Sequence, residues 1–352
     1  MHQLFDLMVE EGASDVHITV GRPPVVRRHG SLKNVKHPPL TAADTMSLVE
    51  SITPERMMTE FREMGSADFG YAHGSRARFR VAIFRQRGQA ALVARLIPSR
   101  ILTFDDIGLP HAVQELCDRP RGLVLVTGPT GSGKTTTLAT MIDAVNRNLD
   151  RHIITIEDPI EYYHEHQQSI VNQREIGIDT TSFAEGLRRA LRQDPDVILL
   201  GEMRDQETIS TAITAAETGH LVFGTLHTTG SARTMDRIID QFPADQQEQI
   251  RVQLSVSILA VVSQVLMARA DKPGVIAGFE VMIMSPAIEN HIRKAETFKI
   301  PSTIQTSKNV GMFLLDDHLI QLVREGKITR ETAMRKSQNP RGVAQKLDQG
   351  GA

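Results

Sequence analysis

Gly122-Leu123-Val124-Leu125-Val126-Thr127-Gly128-Pro129-Thr130-Gly131-Ser132-Gly133-Lys134-Thr135-Thr136 decides the fold. Gly128 to Thr135 has the form G-x-x-x-x-G-K-[ST], a phosphate-binding loop. Its three glycines allow a tight curl, so backbone N–H groups can point at phosphate oxygens. Gly122 to Val126 reads as a buried parallel strand entering the loop. Thr136 to Ile142 reads as the leaving helix, its positive dipole end under the phosphates. Lys134 is placed to reach the β- and γ-phosphates and the Thr135 hydroxyl to ligate Mg²⁺. The expected ligand is therefore ATP with Mg²⁺, held by Gly128, Pro129, Thr130, Gly131, Ser132, Gly133, Lys134, Thr135 and Thr136.

Downstream, strand and helix signals alternate from about His111, which predicts a parallel sheet and an α/β fold. Ile153 to Glu157, Val197 to Leu200 and Leu221 to Leu226 read as strands. Phe183, Leu187 and Leu191 mark one helix face, and Thr208 to Thr218 a further helix closed by Gly219. Beyond Pro243 the chain reads as mostly helical, with a short strand at Gly278 to Ile283. The apolar run from Leu254 to Ala268 reads as a buried or interface helix, too short to span a bilayer. From Gln338 a polar stretch with Pro340, Gly342, Gly350 and Gly351 reads as a loose tail.

Upstream, residues 1–97 read as an α+β domain, 98–110 as a linker and 111–352 as the nucleotide-binding domain with its helical C-terminal part. Leu4, Leu7 and Met8 give a short amphipathic helix ending near Gly12. Asp15 to Val20 alternates like a strand, and Val25 to Arg28 follows as the next. Thr41 to Met64 reads as mostly helical, Thr41 being an N-cap and Pro54 lying near the start of a second segment. Arg76 to Arg85 and Gln89 to Ile97 flank Arg87-Gly88, a hairpin signal.

Composition narrows the function. The 352 residues carry a formal net charge of −2 and only 4% aromatics, so no global basic field suits nucleic acid or an anionic membrane. The single cysteine, Cys117, rules out an intrachain disulfide and a four-cysteine zinc site, and suits a reducing cytoplasm. The N-terminus, Met1 to Asp6, lacks the basic and apolar regions of a signal peptide. A soluble protein without a transmembrane segment is expected, reaching a membrane only through a partner.

Several polar side chains stand where the sheet would deliver them to a ligand. Glu202 follows the apolar strand Val197 to Leu200, and can hold Mg²⁺ through water or orient the attacking water. Glu157, Asp158 and Glu161 cluster about Pro159, and Glu161 or Glu157 can position water. His220 and His227 flank the strand Leu221 to Leu226, where a histidine can sense the γ-phosphate. On residues alone, Arg78, Arg80 and Arg95 read as a solvated strand face, although arginine also stabilises phosphoryl charge across a subunit boundary.

Together, Gly128 to Thr135, Thr155 to Glu161, Gly201 to Asp205 and Thr218 to Thr228 resemble the secretion-type ATPases of type IV pilus and type II secretion machines. Within that family the chain is most similar to the retraction branch. The resemblance implies a cytoplasmic homohexameric ring, peripherally bound to the inner membrane through a platform protein of the pilus machine. It implies a PAS-like N-terminal domain followed by a RecA-like ATPase domain. It assigns Walker A roles to Lys134 and Thr135, the Walker B role to Glu202, an Asp-box role to Glu161 and a His-box role to His220 and His227. It also raises Arg78, Arg80 and Arg95 to arginines that reach an ATP site. The activity implied is ATP hydrolysis powering pilus retraction and twitching motility, with no direct nucleic acid.

One stretch departs from the family. Where retraction ATPases carry Ala-Ile-Arg-Asn-Leu-Ile-Arg-Glu, this chain reads Ala287-Ile288-Glu289-Asn290-His291-Ile292-Arg293-Lys294. An accessory retraction paralogue, or a related secretion or DNA-uptake ATPase, is the alternative. The pilus-assembly class is disfavoured by the lone cysteine and by a start directly at the PAS-like segment. A DNA-translocating ring would want a basic, aromatic-bearing channel, and a non-hydrolysing subunit would not need Lys134, Glu161 and Glu202 together.

Overall fold

The computed structural model describes residues 1–28, 30–74, 76–97 and 100–349. It divides into two compact units, Met1–Arg100 with Pro159–Tyr163, and Ile101–Asp158 with the chain from His164 onward. Of the expected linker, Pro98 and Ser99 lie outside the described residues. The stretch from Ile101 belongs to the second unit, where Thr140 Oγ1 donates to the Leu102 carbonyl oxygen at 2.8 Å.

The first unit holds a six-stranded antiparallel sheet. Its strands are β1 (Asp15–Ile18), β2 (Val25–Arg28), β3 (Ser31–Asn34), β4 (Ser66–His73), β5 (Ala77–Gln86) and β6 (Gln89–Ile97), in the order β3-β2-β1-β6-β5-β4. Alternation in β5 sends Ala77, Phe79, Val81 and Ile83 into the core and leaves Arg80 exposed. Arg87 and Gly88 both adopt positive φ, 51° and 76°, as the two-residue hairpin turn requires. Thr41 forms a capping box with Asp44 on the helix Ala42–Glu50, and Pro54 is the N-cap of the helix Glu55–Met64. β3, exposed throughout, and β4, which contains Gly70, carry weak strand patterns and were not expected from the sequence.

In the second unit the chain builds a seven-stranded sheet with a parallel core. Its strands are β7 (Gly122–Thr127), β8 (His152–Glu157), β9 (Ile170–Glu175), β10 (Val197–Leu200), β11 (Leu221–Leu226), β12 (Ile258–Ala268) and β13 (Val275–Ile283). The order is β13-β12-β7-β11-β10-β8-β9, and all pairs are parallel except the edge pair β12–β13. The central strands β7, β10 and β11 are buried along their whole length, as strands covered by helices on both faces must be. One face packs on the helix Lys134–Asn148 through Leu138, Met141 and Ile142, and the other on the helix Ser231–Ile239 through Met235 and Ile238.

Two expectations are corrected. The apolar run Leu254 to Ala268 is not one helix: the helix Gln247–Ser257 ends at Ser257 and β12 starts at Ile258. β-Branched Val261, Val262 and Val265 favour the pleated form, and β12 gains ladders on both sides, to β7 and β13. The tail from Gln338 is not loose up to residue 349, because Pro340–Gln349 is helical. Pro340 at a helix start costs no hydrogen bond, and the Arg330–Asp348 and Lys346–Asp317 pairs tie this helix down. Gly350 and Gly351 lie outside the described residues.

Candidate nucleotide site

β7 carries the chain to the C-terminal edge of the parallel sheet, where ligands of such sheets bind. There Gly128, Gly131 and Gly133 take φ values of 146°, 75° and 89°. A Cβ on Gly128 would stand 2.3 Å from the Gln264 carbonyl oxygen, so only glycine lets the loop pass β12. The helix Lys134–Asn148 starts at Gly133 without a side-chain cap, and the positive end of its dipole favours an anion there. Lys134 Nζ donates to the carbonyl oxygens of Gly128 (2.9 Å) and Pro129 (3.2 Å) and lies 3.5 Å from His227 Nδ1.

Strand order explains the company Lys134 keeps. β7, β11 and β10 are neighbours, so the residues just beyond their C-terminal ends converge. Those are Lys134, His227 and Glu202. His227 Nε2 stands 2.8 Å from Glu202 Oε1, and Arg204 Nε pairs with the same oxygen. Burial pushes the Glu202 carboxyl up, but Arg204 and His227 outweigh it and hold it below the usual range. Glu202 Oε1 is buried and, despite these short ion-pair distances, aligned with neither donor as a hydrogen bond. The hydroxyls of Thr127 and Ser132 are likewise buried without a hydrogen-bond partner. The two hydroxyls at the loop can each donate to a ligand oxygen, whereas the ionised Glu202 oxygen can only accept.

The remaining acids and histidine are placed elsewhere. Glu157 is buried at the end of β8 and accepts from Thr155 Oγ1 at 2.6 Å and Gln173 Nε2 at 3.2 Å. Asp205 caps the helix Gln206–Glu217. His220 precedes β11, where its carbonyl oxygen accepts from the Gly122 N–H, at the opposite end of the strand from His227. Seven residue steps at about 3.3 Å separate the two histidines by roughly 20 Å, so one chain does not bring them to the same ligand.

In the first unit Arg95 donates from Nε to the buried Asp15 at 2.8 Å. Arg80 Nη1 is 4.0 Å from Glu161 Oε1, and the Arg78 guanidinium covers the Tyr163 ring.

Sequence reasoning missed Gln264. Its side chain is 2% exposed, donates to the Ser132 carbonyl oxygen at 2.7 Å and accepts from Thr137 Oγ1 at 2.9 Å. A glutamine inside an apolar run was the available signal, since an amide survives burial only with partners. A cavity of about 270 Å³ opens beside the loop, lined by Leu102, Ile107, Gly133, Thr136, Leu266 and Ile276. Its mixed lining, which also includes Asp105, Asp106, Arg269 and Lys327, offers a nucleoside both apolar contact and hydrogen-bond partners. Among the described residues no three histidine, cysteine or acidic side chains gather as a metal site, and no helix is long and apolar enough to cross a membrane.

Residues 1–338 match the family model described as type II/IV secretion system protein. The chain is 47% identical over 338 residues to the type IV pilus retraction ATPase PilT of Pseudomonas aeruginosa, covering 96% of this chain and 98% of that one. It is 46% identical over 321 residues to a twitching motility protein of Neisseria gonorrhoeae, with 91% and 86% covered. A solved structure described as the pilus retraction motor PilT with bound ADP superposes with a TM-score of 0.92 at 46% identity, covering 98% of this chain and 99% of that one. With its loop, its parallel sheet and a match over nearly its whole length, the chain belongs to the type II/IV secretion system protein family.

Proposed function

We propose that this chain is an ATP-hydrolysing motor that assembles as a homohexameric ring and powers type IV pilus retraction. The observation that carries the reading is the convergence of Lys134, His227 and Glu202 beyond three adjacent parallel strands. Near-full-length similarity to a retraction ATPase supplies the biological direction.

The residues suit ATP. Loop N–H groups and the uncapped helix start bind the phosphates, and Lys134 exchanges its carbonyl partners Gly128 and Pro129 for phosphate oxygens. Thr135 and Glu202 are the groups that would hold Mg²⁺, whose chemistry is to neutralise charge on the β- and γ-phosphates. The buried Glu202 Oε1 fits that task. Glu202, held ionised by Arg204 and His227, orients the attacking water. His227 Nε2 and Nδ1 face Glu202 and Lys134, so it senses the γ-phosphate between them. Glu161 is a second acid for water or metal-bound water. Arg78, Arg80 and Arg95 supply positive charge to a bound nucleotide, and His220 serves a neighbouring subunit. The ring works in the cytoplasm, docked to an inner-membrane platform protein.

Lys134→Ala should cut ATP turnover by about 100-fold or more, because the mobile charge on the transferring phosphoryl group is gone. Phosphate release from the purified ring measures it. Turnover near the wild-type rate would reject the site.

A further inference from the structure

We propose that Ser263 and Gln264, consecutive residues of β12, are positioning residues that fix the two halves of the nucleotide site to one strand. The inference rests on the ATPase reading above and goes beyond it.

Alternation along a strand sends neighbouring side chains to opposite faces. On β12, Ala260 and Val262 pack on the face of the helix Lys134–Asn148, and Val261 on the face of the helix Ser231–Ile239. Gln264 shares the parity of Val262 and Ser263 that of Val261. Each therefore reaches a different loop at the C-terminal edge of the sheet.

Gln264 meets the phosphate loop. Its amide bridges the Ser132 carbonyl oxygen and Thr137 Oγ1, and its Nε2 comes so close to Gly133 that a Cβ there would stand 3.2 Å away. The amide thus ties the loop to the first turn of its own helix. Ser263 meets the other loop. Its Oγ accepts from the Gly230 N–H at 2.9 Å, three residues after His227. Glu280, paired with Ser263 in the β12–β13 register, extends that hold by accepting from the Ser231 N–H (2.7 Å) and Oγ (2.9 Å). Ser263, Gln264 and Glu280 are 2%, 2% and 4% exposed. Polar side chains so buried in the middle of otherwise apolar strands specify geometry, because a misplaced loop would leave them unpartnered.

The division of labour makes the two residues separable. Gln264 sets where the phosphates rest, so it governs nucleotide binding. Ser263 sets where His227 stands, so it governs turnover after binding. Gln264→Leu, close in shape but without the amide, should weaken binding of a fluorescent ADP analogue and raise KM for ATP about tenfold, with kcat within threefold. Ser263→Ala should lower kcat about tenfold while ADP affinity and KM stay within twofold, and Ser263→Thr, which keeps the hydroxyl, should restore kcat. All three variants are to be checked for ring assembly and thermal unfolding. If both loss variants only lower the melting temperature, or both shift KM and kcat alike, the two-loop assignment is overturned. A wild-type ring that binds ADP but turns over no ATP would instead reject the ATPase reading, leaving the Gln264 binding result interpretable.

Discussion

Glu202 shows how one side chain takes its chemistry from its neighbours. Burial opposes its charge, and the Arg204 and His227 contacts restore it. Glu202→Gln keeps the shape and removes the charge. We expect ATP still to bind within a few-fold, and hydrolysis to fall by at least about 100-fold; trapped ATP after gel filtration checks both. Loss of ATP binding in a folded ring would make Glu202 a structural group. His164 offers a pH test. Burial pushes this imidazole down to about 4, and its Nδ1 has no hydrogen-bond partner. Between pH 6.5 and about 4 the unfolded chain takes up a proton there that the folded chain refuses. Stability should therefore fall as pH drops through that window, by up to the order of 3 kcal/mol from this group. His318 is depressed in the same direction by burial. Denaturant midpoints across the window should flatten in His164→Gln, and an unchanged slope would assign the loss elsewhere. Lys134 and Glu202 were legible because motif chemistry fixes their spacing. Gln264 was not, since its partners Ser132 and Thr137 lie more than 120 positions away in sequence.

Among elements, the helix Pro286–Arg293 holds most of the stretch Ala287 to Lys294 that reads as departing from the resemblance. Ser285 caps it, Ile288 and Ile292 are fully buried, and Glu289 pairs with Arg293 on the outer edge. The apolar edge docks the helix and the charged edge is presented. Replacing Glu289 and Arg293 together by alanine should leave ATP turnover and ring assembly within twofold, because an exposed helical pair contributes only about 0.5 kcal/mol. Twitching in the host should be impaired. Normal twitching would make the pair ornamental, and a parallel loss of turnover would place it in the ring's own packing. Hairpin β5–β6, the capped helix after Thr41 and strands β7, β8, β10 and β11 were legible from alternation, turn residues and apolar runs. β12 was not. Its residues are apolar on both faces, so no period distinguishes strand from helix, and the run continues the end of a real helix. Its strand form depends on β7 and β13, which are distant in sequence.

At the scale of the whole molecule, the chain pairs an antiparallel six-stranded unit with a parallel-core nucleotide unit, each with its own hydrophobic core. We propose that ATP turnover at Lys134 and Glu202 pulls pili back. The direct measurement compares a host strain lacking the gene, complemented with the wild-type chain or with Lys134→Ala, for surface pili and twitching together. The wild-type chain should restore twitching, while Lys134→Ala should leave cells with abundant surface pili and no twitching. Cells without pili, or Lys134→Ala cells that twitch like wild type, would contradict it.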